Sequence, residues 1–294
     1  MPSQLEQLEA YTTIVADSAE FRLLASYAPR DARCGRRAIL AALGQPAYAP
    51  LLTQTLAAHR GQPLDAVADR VLVRFGCELL DVVPGRVATE VDARLAFDTG
   101  ATIACAMRLV DLYASEGIPR ERVLLDVAAT WEGIQASRAL AHHGIHCCLT
   151  LVHTLCQSVA AAEAGVGGVA PVVEQPEGAL VAAQTWRYFK KFDIETEVRA
   201  SGFTEAATAL ALAGCDQLAL MPHVMAQLQA SDAVVTPALD VEEARSGGIH
   251  AASFNEPSFR FSLNEDERAT QRLAAGVRDL ASAARALERL IRST

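Results

Sequence analysis

Val123-Leu-Leu-Asp-Val-Ala-Ala-Thr-Trp-Glu-Gly-Ile134 runs from a short apolar, β-branched stretch straight into a segment with helical periodicity. A strand followed at once by a helix is the unit from which parallel sheets are built. Read outward from this stretch, the same alternation recurs in both directions. Strands are expected at 12–17, 31–34, 86–91, 123–127, 146–151, 168–173, 195–200 and 217–221, and helices at 65–80, 99–115, 131–143, 155–164, 178–191, 204–213 and 223–230. Eight strands is the number that closes a barrel, so the expected fold is α/β, a (β/α)8 TIM barrel forming one domain over 1–294. Gly117, Gly144, Gly165 and Gly214 follow helical stretches, where a left-handed cap favours glycine. An extra C-terminal helix is expected over 265–292, with Leu273, Val277, Leu280, Ala284, Leu287 and Leu290 in one stripe. That stripe must pack on the barrel or on a partner, which admits a homodimer. The stretch 236–257 is the least regular and reads as a long loop.

Composition narrows the function classes. Apolar residues make up 51% and charged residues 21%, as in a chain with a sizeable core. A formal net charge of −9 argues against nucleic acid, because gripping a phosphate backbone needs clustered cations. The sequence has neither an apolar run of membrane-spanning length nor a leader-like start at Met-Pro-Ser-Gln, so a cytoplasmic protein acting on a small molecule is expected, with no membrane partner. Seven cysteines, none in a Cys-x-x-Cys spacing, read as reduced thiols. Only two lysines occur, Lys190 and Lys191.

Tyr-Thr-Thr-Ile-Val-Ala-Asp-Ser (11–18), Val-Pro-Gly-Arg-Val-Ala-Thr-Glu-Val-Asp-Ala-Arg-Leu (83–95), Ala-Thr-Trp-Glu-Gly-Ile (129–134), Leu-Thr-Leu (149–151) and Leu-Ala-Gly-Cys-Asp (212–216) together resemble the signatures of the transaldolase family, in order and over nearly the whole chain. The resemblance implies a cytosolic barrel of the class I aldolase type, which moves a dihydroxyacetone unit between sugar phosphates through a lysine Schiff base. It also implies that Asp17 is the proton-transfer aspartate and that Glu90 and Thr150 hold the catalytic water. At the position of the Schiff-base lysine this sequence carries Asp126. A carboxylate cannot add to a ketone and become the iminium that accepts electrons when a carbon–carbon bond breaks.

The same resemblance marks changed substrate-binding positions. The family's Thr-Thr-Asn-Pro-Ser after strand two is replaced by Arg33-Cys34-Gly35-Arg36-Arg37, and the asparagine beside the catalytic threonine by Cys148. The phosphate-binding serine and arginine after strand six correspond to Ala170 and a shortened Val-Glu-Gln-Pro loop, and the arginine after strand seven to Thr204. Bidentate guanidinium contacts that hold phosphate would be lost. The arginines at 33, 36 and 37, with Arg199 inside strand seven, offer a replacement anion site or a plain salt-bridge role.

Side chains alternate along a strand, so Asp17, Glu90 and Asp126 should crowd one barrel mouth. Such crowding should raise a pKa or recruit a cation, an arrangement suited to acid–base work, or else mark a dead site. Asp17, Glu90, Asp126, Cys148 and His153 come from separate strand ends without a compact ligand motif, so neither metal nor cofactor is expected. Adjacent residues face opposite ways, so of Cys147 and Cys148 only the latter can reach the pocket. Three readings follow: a repurposed lyase, aldolase-like or cyclising enzyme using carboxylate acid–base catalysis on a non-phosphorylated carbonyl compound in specialised metabolite biosynthesis; an inactive barrel with a binding or regulatory role; or residual transaldolase of the pentose phosphate pathway.

Overall fold

The computed structural model describes residues 2–294 and closes eight parallel strands into a barrel in sequence order. They are β1 (Thr13–Asp17), β2 (Asp31–Cys34), β3 (Val87–Glu90), β4 (Val123–Ala128), β5 (His146–Val152), β6 (Gly168–Pro171), β7 (Glu197–Ser201) and β8 (Gln217–Leu220), with β8 pairing back onto β1. Helices pack outside between successive strands, so the expected TIM barrel with its C-terminal helix is what the chain forms. Strand residues are buried on both faces, against helices outside and one another in the lumen, which is why these segments read as near-continuous apolar runs. The four expected glycine caps hold positive φ, from +67° at Gly144 to +100° at Gly214.

Several boundaries differ from expectation. The helix after β7 is only Ala206–Leu210, shorter than 204–213. Helices Arg36–Leu43 and Ala49–Ala58 fill the stretch before Leu64–Leu80, where alanine among the apolar positions blurs the stripe and Gly44 and Pro46 interrupt it. The supposed long loop at 236–257 contains a helix, Val241–Ser246, whose first turn is capped by Asp240 accepting from the Glu243 amide.

The C-terminal helix, Glu267–Ser293, lays its stripe on its own barrel: Leu273, Val277, Ala284 and Leu287 are buried within the chain. Leu273 and Val277 pack with Ala96 and Ala128 over the C-terminal ends of the strands, with Leu151 against them. Leu151 sits in the left-handed region at φ 59° beside a register irregularity between Leu149 and Val152. Among the described residues no helix is long and apolar enough to cross a membrane.

Candidate active site

Four elements meet in the lumen around Asp126. β4 presents its carboxylate inward, β2 presents Arg33 and β7 presents Arg199 from the far side of the barrel. Arg33 donates its Nε–H to Asp126 Oδ2 over 2.6 Å, and Arg199 donates from Nη2 to Asp126 Oδ1. Arg33 then extends Nη1 towards Asp17 at the end of β1, a loose contact of 3.4 Å. The result is an ionic chain, Asp17 to Arg33 to Asp126 to Arg199, running from the mouth into the core. Its outer pair reaches solvent, both side chains being 19% exposed, whereas Asp126 and Arg199 are sealed.

Glu90 belongs to a second group. It neighbours Asp126 in the sheet register, but its carboxylate turns to Arg36, whose Nη1 donates to Oε1 over 3.0 Å and also to the Glu90 carbonyl. Arg36 lies 3.9 Å from both Asp69 and Asp92. Gly35 is what lets Glu90 lie there, because a Cβ at that position would stand 2.9 Å from Glu90 Oε2.

Electrostatics separate the two carboxylates. Burial would raise the Asp126 carboxyl, but the Arg199 and Arg33 guanidiniums outweigh it and hold the group below the ordinary aspartate range. For Glu90 burial prevails over the lowering by Arg36 and Arg33, and its carboxyl is pushed above the ordinary glutamate range. The expected like-charge cluster is therefore answered by cations from within the chain. Among the described residues, no group of three His, Cys, Asp or Glu side chains is arranged to hold a metal ion.

The remaining expected residues fall into place unevenly. Thr150 is buried with its hydroxyl donating to the Val127 carbonyl at 3.4 Å, beside the site. Arg36 corrects the expectation of a substrate contact at the mouth: it is 2% exposed and its donors serve carboxylates of the chain itself. Arg37 is solvated, 3.7 Å from Asp279. Cys148 and Ala170 pack with Ala88 and Leu124 as an apolar layer in the lumen, and burial pushes the Cys148 thiol up to about 12, where it is inert at neutral pH. Thr204 is exposed on the loop after β7, its carbonyl 3.3 Å from His223 Nε2. Sequence reasoning noted Arg199 as an odd charge in a strand but did not foresee its pairing across the lumen. The signal was there in two buried charges of opposite sign on inward positions of β4 and β7.

Comparison with known proteins now bears on this geometry. The family model described as Transaldolase/Fructose-6-phosphate aldolase matches residues 14–291. The chain belongs to this family. A protein named Transaldolase from Methylibium petroleiphilum is 56% identical over 315 aligned residues, covering 100% of both chains. The alignment is longer than this chain's 294 residues, so the relative carries insertions where this chain is shorter. In a family barrel the C-terminal strand ends form the active face, and Asp17, Glu90 and Asp126 all lie at or near those ends.

Both lysines lie elsewhere. They close the helix Pro176–Lys191 on the outer ring. Lys190 Nζ pairs with Asp216 at 2.7 Å, just before β8 begins and so at the opposite end of the barrel, and Lys191 donates to the Arg245 carbonyl.

Proposed function

We propose that this protein binds the hydroxylated carbonyl compounds of transaldolase chemistry at its C-terminal mouth and does so without a covalent lysine adduct. The observation that carries this reading is the position of Asp126, clamped between Arg33 and Arg199 where the resemblance would put the Schiff-base lysine. Neither lysine of the chain reaches the lumen, since both are held at the outer ring. The ligand class is supported by the exposed outer end of the ionic chain. Asp17 offers an acceptor and Arg33 a donor about 3.4 Å apart, a spacing matched to the hydroxyl and carbonyl oxygens of an α-hydroxyketone. The hydroxyl would donate to Asp17 and the carbonyl accept from Arg33.

A neutral pair of this kind suits a sugar better than a free anion, because an added negative charge at Arg33 would face Asp17 at close range. Full-length likeness to a protein named Transaldolase also favours a sugar ligand over the cyclising or specialised-biosynthetic reading, for which neither the geometry nor the relative offers support.

A second reading, transaldolase turnover proper, is favoured by that same likeness and by the resemblance, which implies acid–base and water-holding roles for Asp17, Glu90 and Thr150. One pair of measurements separates the two. Borohydride treatment with fructose 6-phosphate should leave the protein mass unchanged, while ligand-observed NMR with the same sugar should show binding that is lost in Arg33→Met. A mass increase on a lysine peptide would establish covalent turnover, and no binding of fructose 6-phosphate, fructose or dihydroxyacetone would remove the first reading.

A further inference from the structure

Away from the barrel mouth, the helix Leu64–Leu80 packs against both Ala49–Ala58 and Thr99–Ser115 on the outer ring. Where the three meet lies a cavity of about 220 Å³ whose lining includes His59, Arg70, Val73, Arg74, Leu112 and Glu116. It is open to solvent, since Arg74 and Glu116 are exposed, and it shares no residue with the ionic chain of the lumen. At roughly 30 Å³ per water the space equals about seven waters, enough for a small metabolite. Arg70 and Arg74 stand one turn apart on the same helix face. Arg70 donates its Nε–H to Gln62 over 3.2 Å and Arg74 spends Nη2 on Glu78, which leaves other guanidinium donors of both uncommitted. Glu116 lines the same cavity, yet among the described residues it pairs with neither arginine. Burial and then Arg70 lower the His59 pKa from 6.5, with Glu116 opposing, so the imidazole is mostly uncharged at neutral pH.

We propose that this cavity binds a zwitterionic α-amino acid with a short apolar side chain. The charges around it balance: Glu78 answers Arg74, and Glu116 answers Arg70 without touching it. A simple anion would gain from Arg70 and lose to Glu116, and a simple cation the reverse. A molecule carrying both charges on one carbon satisfies both and spans the gap that keeps them from pairing. The carboxylate accepts from Arg70 and Arg74, whose spacing lets two guanidiniums converge on it. The ammonium donates to Glu116. Glu116 also caps the helix Thr99–Ser115, whose last carbonyls carry the negative end of the helix dipole and add to the attraction. Val73 and Leu112 offer the apolar surface for the side chain.

The proposal stands apart from the sugar reading and is tested without any sugar. Saturation-transfer NMR and calorimetry with L-valine should show saturable binding to the native chain. Isovalerate, which keeps the carboxylate alone, and isobutylamine, which keeps the ammonium alone, should each bind more weakly by about tenfold or more, the effect of losing one charge-assisted contact. Glu116→Gln and Arg70→Met should weaken valine binding by a similar factor, whereas Arg33→Met in the lumen should leave it unchanged. Should Arg70→Met fail to fold, the exposed Glu116→Gln and the three ligands decide. Isovalerate or isobutylamine binding as tightly as valine would make this a site for a single charge and overturn the proposal. So would valine binding that is indifferent to Glu116→Gln, or no binding of valine, alanine or leucine at millimolar concentration.

Discussion

Arg199 reaches from β7 across the whole lumen to Asp126 on β4, and the two side chains are 2% and 1% exposed. Removing one partner of such a pair strands a buried charge, which typically costs about 3–5 kcal/mol. Asp126→Leu should therefore lower unfolding stability in urea by that order, since it leaves Arg199 without its only carboxylate partner among the described residues. Asp126→Leu combined with Arg199→Met replaces charge by apolar volume on both sides and should recover much of the loss. Equal destabilisation in the single and double variants would show that the pair contributes no coupling.

Placing an amine at residue 126 tests the chemistry. Asp126→Lys sets an ammonium between Arg33 and Arg199, and two neighbouring cations depress a lysine pKa, which favours the nucleophilic free amine. We expect the variant to be less stable than the native chain and to give a borohydride-trapped adduct with dihydroxyacetone that the native chain does not give. Adding Arg199→Met should restore stability by removing one cation. A folded variant without any adduct would place the obstacle in other positions around the site, Gly35 and Cys148 foremost, instead of at residue 126.

How far the sequence could be read depends on whether a feature is local. The β4 stretch with its directly following helix identified the repeating unit, and inward alternation placed Asp126 in the lumen without a structure. What local reading could not supply was partner choice across the barrel. Arg33 and Arg36 stand three residues apart in one basic cluster, yet Arg33 lines the lumen on β2 while Arg36 opens the next helix and turns to Glu90. Only the closure of the sheet decides that Arg199, 73 residues from Asp126, is the cation that meets it. Where alanine blurs the apolar stripe, as in Arg36–Leu43, even the helix was hidden.

The pH dependence of stability should report His153. Burial chiefly, with Arg272 adding and Asp266 opposing, lowers its pKa from 6.5 to about 4. The folded state thus keeps the imidazole neutral while the unfolded chain takes up a proton. Its contribution is complete above pH 6.5 and is lost as the pH falls towards 4, a window that could carry up to about 3 kcal/mol. Asp126, held low, adds a loss that begins as the pH falls into the ordinary aspartate range and continues below it, whereas Glu90, held high, works the other way: its folded-state proton favours the native form most at acid pH and that contribution fades as the pH rises. His153→Gln should flatten the stability profile between pH 6.5 and 4. A profile as steep as that of the native chain would assign the slope to other groups.

Thiol reactivity should follow burial. All seven cysteines are free, and only Cys77 is partly exposed, with burial pushing its thiol up to about 11. Iodoacetamide at neutral pH should label the native chain slowly and at Cys77 alone, and should label all seven sites in denaturant. Rapid native labelling at Cys148 would mean that the lumen opens far more than its packing allows.

Leu151 and Gly276 form the seam between the barrel and its C-terminal helix. A Cβ on Gly276 would stand 2.6 Å from Leu151 Cδ2, and Leu151 cannot simply turn aside, being packed against Leu273 and Val277 with its backbone already at φ 59°. Overpacking of this kind costs about 1–3 kcal/mol, while alanine in place of glycine inside a helix gains about 1 kcal/mol. In the native background Gly276→Ala should therefore destabilise the protein or leave it unchanged. In a Leu151→Ala background the clash is gone and only the helical gain remains, so the same substitution should stabilise by up to about 1 kcal/mol. This reversal of sign in a thermodynamic cycle ties the effect to the contact between the two residues. If Gly276→Ala has the same effect in both backgrounds, the helix is not seated on Leu151 and its hold on the barrel mouth must come from elsewhere along the stripe.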